Sequence, residues 1–221
     1  MLRGLFVTGT DTGVGKTITC AALLLRFRPA VRLRYWKPVQ TGIEQDDDTA
    51  SVRRLASCRD CEILTEGIRL PRPVSPHLAA LWSGQPIVLA DLTQLFQSQA
   101  GPDAWIVEGA GGALVPLNGT ELMTGLMQAL ALPVVVVARS GLGTINHTLL
   151  TLEALRARSL CVAGVVMVGD PNADNRAAIE HYGTARVLGE MPLWNPLDPG
   201  CLARWASTEL DPRGYLLDFL Q

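Results

Sequence analysis

Lysine is nearly missing from this chain. Of 19 basic residues, 17 are arginines, and the lysines are Lys16 and Lys37. A composition that uses arginine wherever a surface cation suffices singles out two positions where a compact ammonium is needed and a planar guanidinium does not fit. An excess of one charge is also lacking: 19 basic against 21 acidic residues leave a formal net charge of −2. That balance gives no electrostatic reason to expect nucleic acid or an anionic membrane as partner. No apolar run approaches the roughly 20 residues of a membrane span, and the longest, Ala129 to Ala138, is interrupted by Pro133. The start of the chain carries one basic residue, then a short strand-like run and glycines, which is not a signal-peptide pattern. The expected address is cytoplasmic. Cysteines are few and odd in number, five in all. Cys58 and Cys61 form one C-x-x-C without the second pair or histidine cluster of a zinc site. They read as ordinary thiols of a reducing compartment.

What is present is apolar and regularly arranged. The 221 residues are 48% hydrophobic and 18% charged, which excludes disorder and allows a core that needs no staples. Gly4 to Val7 reads as a buried strand, followed by a Gly/Thr loop and a helix from Thr17 to Phe27. A second strand is expected over Leu33 to Val39 and a helix over Thr49 to Ala56. The Pro-rich stretch Leu70 to Pro76 leads to a helix at His77 to Trp82. Another helix covers Asp91 to Gln97, before a strand at Trp105 to Val107. Pro133 to Ala138 and Val162 to Val168 are continuous apolar runs rich in β-branched valine, as in strands covered on both faces. With the helix Ile145 to Ala157, these alternate as in a doubly wound α/β domain with a mostly parallel sheet flanked by helices, spanning residues 1–221. In such a fold the reactive groups lie beyond the carboxyl ends of the strands.

Gly9-Thr10-Asp11-Thr12-Gly13-Val14-Gly15-Lys16-Thr17 follows the first strand and opens the first helix, the setting of a phosphate-binding P-loop. Glycines let consecutive amides point inward, and the helix N-terminus adds positive potential. Lys16 would reach the β/γ-phosphates and the Thr17 hydroxyl a Mg²⁺ ion. The usual spacing asks for glycine at position 10; here Thr10 stands there and Gly9 comes one residue earlier. Glu108, at the expected end of a strand and before Gly109-Ala110-Gly111-Gly112, suits a Mg²⁺ ligand or a hydrogen bond to its water shell. The acidic run Glu44 to Asp48 supplies a further carboxylate candidate, Asp48, with Asp47 close behind, unless it is only a solvated loop. Lys37, at the end of the second strand, is costly to bury unless it meets an anion. Ser75-Pro76-His77 reads as a helix cap with an exposed histidine.

Taken together, these segments resemble the dethiobiotin synthetase family of P-loop NTPase-type enzymes. The resemblance is carried by Gly9 to Thr17, Lys37-Pro-Val-Gln-Thr-Gly42, Ser75-Pro-His77, Val107-Glu-Gly-Ala-Gly-Gly112, Gly141-Leu-Gly-Thr-Ile-Asn-His147 and Gly189-Glu-Met-Pro192, in the family's order. It implies an ATP- and Mg²⁺-dependent carbon–nitrogen ligase of biotin biosynthesis. Diaminopelargonic acid takes up CO₂ (from bicarbonate) as a carbamate. A nucleoside triphosphate phosphorylates it, and the second amine closes the cyclic urea. The resemblance makes Lys16 and Lys37 catalytic and gives Mg²⁺ to Thr17, Asp48 and Glu108. Nucleotide contacts would come from Gly13, Val14, Gly15, Lys16, Thr17, Ile18, Glu108, Gly109, Ala110, Gly111, Val168, Gly169, Met191, Pro192 and Leu193. Thr12 and Thr41 would lie against the diamine. The family's homodimer, with sites at the subunit interface, would bring Gly143, Thr144, Ile145 and Asn146 of a second copy to the substrate carboxylate. Family members often carry an Asn-Asp pair after the strand Val162–Val168 to read adenine; here Gly169-Asp170 follows Val168, and the first asparagine is Asn172.

Two other classes share such a loop. A partitioning or cell-division switch ATPase carries an extra lysine early in it, and Gly9 to Gly15 contains none. A cobyrinic acid amidating enzyme needs a glutamine-hydrolysing domain for which 221 residues leave no room.

Overall fold

The computed structural model describes residues 2–221. Its seven-stranded sheet has the order β4-β2-β6-β1-β7-β8-β9. In chain order these strands are β1 (Arg3–Gly9), β2 (Leu33–Trp36), β4 (Ile63–Leu64), β6 (Ala104–Gly112), β7 (Val134–Arg139), β8 (Val162–Val168) and β9 (Val187–Met191). Every pairing among them is parallel. A parallel sheet needs both faces covered, and strand alternation does this. Leu5 and Val7 face one core; Phe6, between them, faces the other. The first core is closed by α1 (Lys16–Phe27), α2 (Asp48–Leu55), α8 (Pro199–Thr208) and α9 (Leu217–Leu220). The second is closed by α3 (Pro76–Ser83), α4 (Leu89–Ser98), α5 (Met123–Leu130), α6 (Thr144–Arg156) and α7 (Ala173–Gly183). Among the described residues, no helix is long and apolar enough to cross a membrane.

Strand order reverses at β1. It is paired on one side with β6 and on the other with β7, and the chain leaves it through α1 on one face and enters β7 through α5 on the other. A crevice opens at such a point beyond the carboxyl ends. The loop 10–15 fills its floor.

Two strands differ from the sequence expectation. The stretch Leu33 to Val39 is not one strand: β2 stops at Trp36, and Val39–Thr41 forms β3, paired with β5 (Ile68–Leu70) in a separate parallel ribbon. Pro38 has no N–H to continue the main ladder, and its carbonyl instead accepts from Ile68 N at 2.8 Å. The strand at Trp105 to Val107 is longer than expected, so Glu108 lies inside β6 and not at its end. Glu108 pairs with Val7, but the next partners are Gly9 and Gly112, so three residues of β6 bulge against one of β1. The bulge carries the chain past Glu108 toward the crevice.

Candidate active site

The phosphate loop is shaped by its glycines. Gly13 (φ 68°) and Gly15 (φ 99°), the residue before α1, sit in the left-handed region that favours glycine. Gly9 is required for space: a Cβ there would stand 2.7 Å from Val14 Cγ2 and 2.8 Å from the Asp11 carbonyl oxygen. The close approach is therefore at position 9, which accounts for Thr10 standing where the usual spacing has glycine. Lys16 Nζ donates to the Asp11 carbonyl at 2.9 Å. Burial pushes this ammonium down to about 8, with repulsion from Lys37 adding and Glu108 and Asp48 opposing.

Above the loop four elements deliver one charge cluster. Glu108, fully buried on β6, presents Oε1 to Lys37 Nζ at 2.8 Å and to Thr17 Oγ1 at 2.9 Å. Lys37, 3% exposed, also meets Asp48 Oδ2 at 2.6 Å and donates to the Gly109 carbonyl at 3.1 Å. The Thr17 hydroxyl lies 2.8 Å from Asp48 Oδ1, so its single proton is shared between two carboxylates. Tyr35, buried on β2, donates its phenol to Glu108 Oε2 at 2.7 Å. Burial alone opposes the charged forms of Lys37 and Asp48, but mutual attraction and hydrogen bonding outweigh it. Lys37 is held above, and Asp48 below, its ordinary range. Burial, reinforced by Glu108, keeps the Tyr35 phenol protonated well above its usual range. Lys37 is thus a compact cation held between two carboxylates.

The cluster lines a cavity of about 610 Å³ that runs from the loop to α3. The family described as AAA domain matches residues 3–200. An ATP-dependent dethiobiotin synthetase BioD of Paramagnetospirillum magneticum is 50% identical over 86% of this chain and 88% of its own length. The chain belongs to the dethiobiotin synthetase family. A second BioD, from Novosphingobium aromaticivorans, is 48% identical over 90% of this chain and 92% of its own. A ParA family ATPase from Chlorobium tepidum TLS superposes with a TM-score of 0.59, covering 93% of this chain and 98% of its own, at 11% identity. That likeness is one of fold.

Most residues that the synthetase resemblance singles out do meet here. Thr12, Gly13, Gly15, Lys16, Thr17, Ile18, Lys37, Thr41, Asp48, Glu108, Ala110 and Gly111 line the cavity. Val14 and Gly109 do not: Val14 is 2% exposed and packs in the core, and Gly109 turns its carbonyl to Lys37. Asp47 is separated from its neighbour by helix geometry: it caps α2, accepting from Ala50 N at 2.9 Å, and leaves the cluster to Asp48. Val168, Gly169, Met191, Pro192 and Leu193 lie outside this lining, on adjoining strand ends; Gly169 N donates to the Met191 carbonyl at 2.9 Å. Val168 borders the loop, since a Cβ on Gly15 would come within 3.1 Å of its Cγ2. Gly143, Thr144, Ile145 and Asn146 open α6 and also lie outside the cavity, with free space beside Gly143. His77 is half-buried, contrary to the exposed cap expected, because α3 packs it beside Pro116, whose carbonyl accepts from its N–H.

Sequence reading missed Tyr35 and Gln40. Gln40, 2% exposed, accepts from Asp48 N at 3.3 Å through its side-chain oxygen and donates to the Asp46 carbonyl, anchoring the acidic loop. Its place inside Lys37 to Gly42 was the available signal. Tyr35 gave none, because a buried aromatic on a strand reads as core.

Proposed function

We propose that this chain catalyses the ATP- and Mg²⁺-dependent closure of diaminopelargonic acid and CO₂ to dethiobiotin, releasing ADP and phosphate. Membership of the synthetase family supports this reading, and one observation carries it: Lys37, Thr17, Asp48 and Glu108 meet directly above the P-loop amides. A transferred phosphoryl group spreads charge over its oxygens, so preset cations and amides stabilise the transition state. Lys16 and the loop amides hold the nucleotide phosphates, and Lys37 faces the transferred group from the opposite side. Thr12 and Thr41, both at the cavity wall, orient the diamine and its carbamate. Oriented amines close the ring without a separate encounter.

The donor set also fits a hard cation. One hydroxyl and two carboxylates, with no His or Cys, suit Mg²⁺, which takes few protein oxygens and completes its shell with water and phosphate. Thr17, Asp48 and Glu108 would hold it. When bound it neutralises phosphate charge and aligns the triphosphate.

We further propose a homodimer with shared sites. The exposed Leu114 and Leu150 line a groove beside Thr10 to Thr12, and the exposed Leu142 stands just before α6; burying such apolar side chains against a second copy removes them from water. The open α6 N-terminus of that copy, Gly143 to Asn146, then supplies amides for the substrate carboxylate. Incubation with the diamine, ¹³C-bicarbonate and ATP, read by mass spectrometry, tests the activity. Labelled dethiobiotin is expected, and its absence while ATP is hydrolysed without the diamine returns the chain to a switch ATPase.

A further inference from the structure

The two oxygens of Glu108 have different surroundings. Oε1 faces Lys37 Nζ and Thr17 Oγ1, on the cavity side. Oε2 accepts from the Tyr35 phenol, 2.7 Å away and fully buried. Tyr35 approaches from β2, beside β6 and on the face covered by α1. Glu108 is itself 0% exposed, so no water competes for Oε2 and its rotation is limited by a bond at each oxygen. No feature of the sequence pattern assigns Tyr35 a role, and the phosphate-binding residues do not require it.

We propose that Tyr35 is a positioning residue that holds Glu108 Oε2 and leaves a single oxygen, Oε1, for the divalent cation. This rests on the reading of Glu108 as part of the Mg²⁺ site. A carboxylate limited to one oxygen suits Mg²⁺, which demands near-octahedral contacts. Ca²⁺ accepts carboxylates through both oxygens and a looser shell. Tyr35 therefore contributes to the choice of cation without touching it. Removing the phenol frees Oε2, and Glu108 can then offer both oxygens.

Calorimetric titration of Mg²⁺ and of Ca²⁺ into the ADP-bound protein tests this in wild type, Tyr35→Phe and Glu108→Gln. In Tyr35→Phe the ratio of Mg²⁺ to Ca²⁺ affinity is expected to fall by about fivefold or more. An unchanged ratio in folded Tyr35→Phe overturns the proposal. Equal cation binding by Glu108→Gln and wild type overturns instead the underlying assignment of Glu108. A merely structural Tyr35 would weaken both cations together and leave the ratio in place. Should Tyr35→Phe not fold, the wild-type protein labelled with ¹³C-glutamate decides by infrared difference spectroscopy on adding Mg²⁺. Widely split glutamate carboxylate bands, the mark of a one-oxygen contact, are expected; a narrow, two-oxygen splitting overturns the proposal.

Discussion

Lys37 Nζ lies 2.6 Å from Asp48 Oδ2, joining the end of β2 to the first turn of α2 in the cavity wall. With Glu108 on its other side, the ammonium stands between two carboxylates in the free protein. A buried charge is tolerable only with such partners. The proposed nucleotide and cation binding would redistribute this pairing, and that sets what Lys37 variants will do.

Lys37→Arg keeps the charge but widens it into a planar fork that cannot fit between Asp48, Glu108 and the Gly109 carbonyl. Nucleotide binding should be nearly normal, because the loop amides and Lys16 are untouched. Turnover should drop about a hundredfold, equivalent to about 3 kcal/mol of lost transition-state stabilisation. Steady-state kinetics beside a nucleotide titration checks both halves. Wild-type turnover in the arginine variant removes Lys37 from the chemistry.

Lys16 carries a pH signature. Its folded pKa of about 8 lies below its ordinary value because of burial and then Lys37. A lysine with a lowered folded value binds fewer protons folded than unfolded, so its contribution makes stability rise with pH through that value. Bound phosphate favours the ammonium and reverses the shift. ADP binding should therefore take up about half a proton at pH 8 and about a tenth at pH 7. Calorimetry in buffers of different ionisation enthalpy measures the uptake, and equal uptake at the two pH values contradicts the assignment.

The proposed shared sites would make inactive subunits complementary. Lys37→Met disables the catalytic half of a site. Gly143→Asp places an anion at the amides proposed to receive a carboxylate, at a φ of 92° that aspartate tolerates better than branched residues. Each homodimer should be nearly dead, and mixing them should restore up to about a quarter of wild-type activity, from the one intact site of the heterodimers. Dead mixtures of variants that fold and exchange subunits would mean that each chain works alone.

Base selection should be loose. Gly169 offers no side chain where an asparagine would match the donor and acceptor of adenine. The nearby asparagines have other partners: Asn172 caps α7 by accepting from Asn175 N, and Asn175 Nδ2 donates to the Ser140 carbonyl. CTP or GTP should support turnover within about tenfold of ATP, a difference of about 1.4 kcal/mol. Comparing kcat/KM for the four triphosphates decides it; a preference for ATP beyond about a thousandfold points to another base reader. Gly169→Asn is not a clean gain, since its Cβ would collide with Ser140 Oγ.

The amino-acid sequence by itself determined whatever depends on local periodicity and spacing. The continuous apolar run Val162 to Val168 became β8 with the same limits. The loop Gly9 to Thr17 formed between strand and helix as its glycines require. The two lone lysines of an arginine-rich chain, Lys16 and Lys37, both line the cavity above the loop. Residues 170–221 hold α7, β9, α8 and α9, yet no element was expected there, because short helices depend on packing against the sheet more than on local propensity. Tertiary structure alone chose between Asp47 and Asp48: both lie in one acidic run, but the start of α2 takes the first as its cap and turns the second toward Lys37. It likewise turned Tyr35 from an ordinary core aromatic into the partner of Glu108, across strands 73 positions apart in sequence. Contacts between distant segments depend on sheet order and register, which no local pattern encodes.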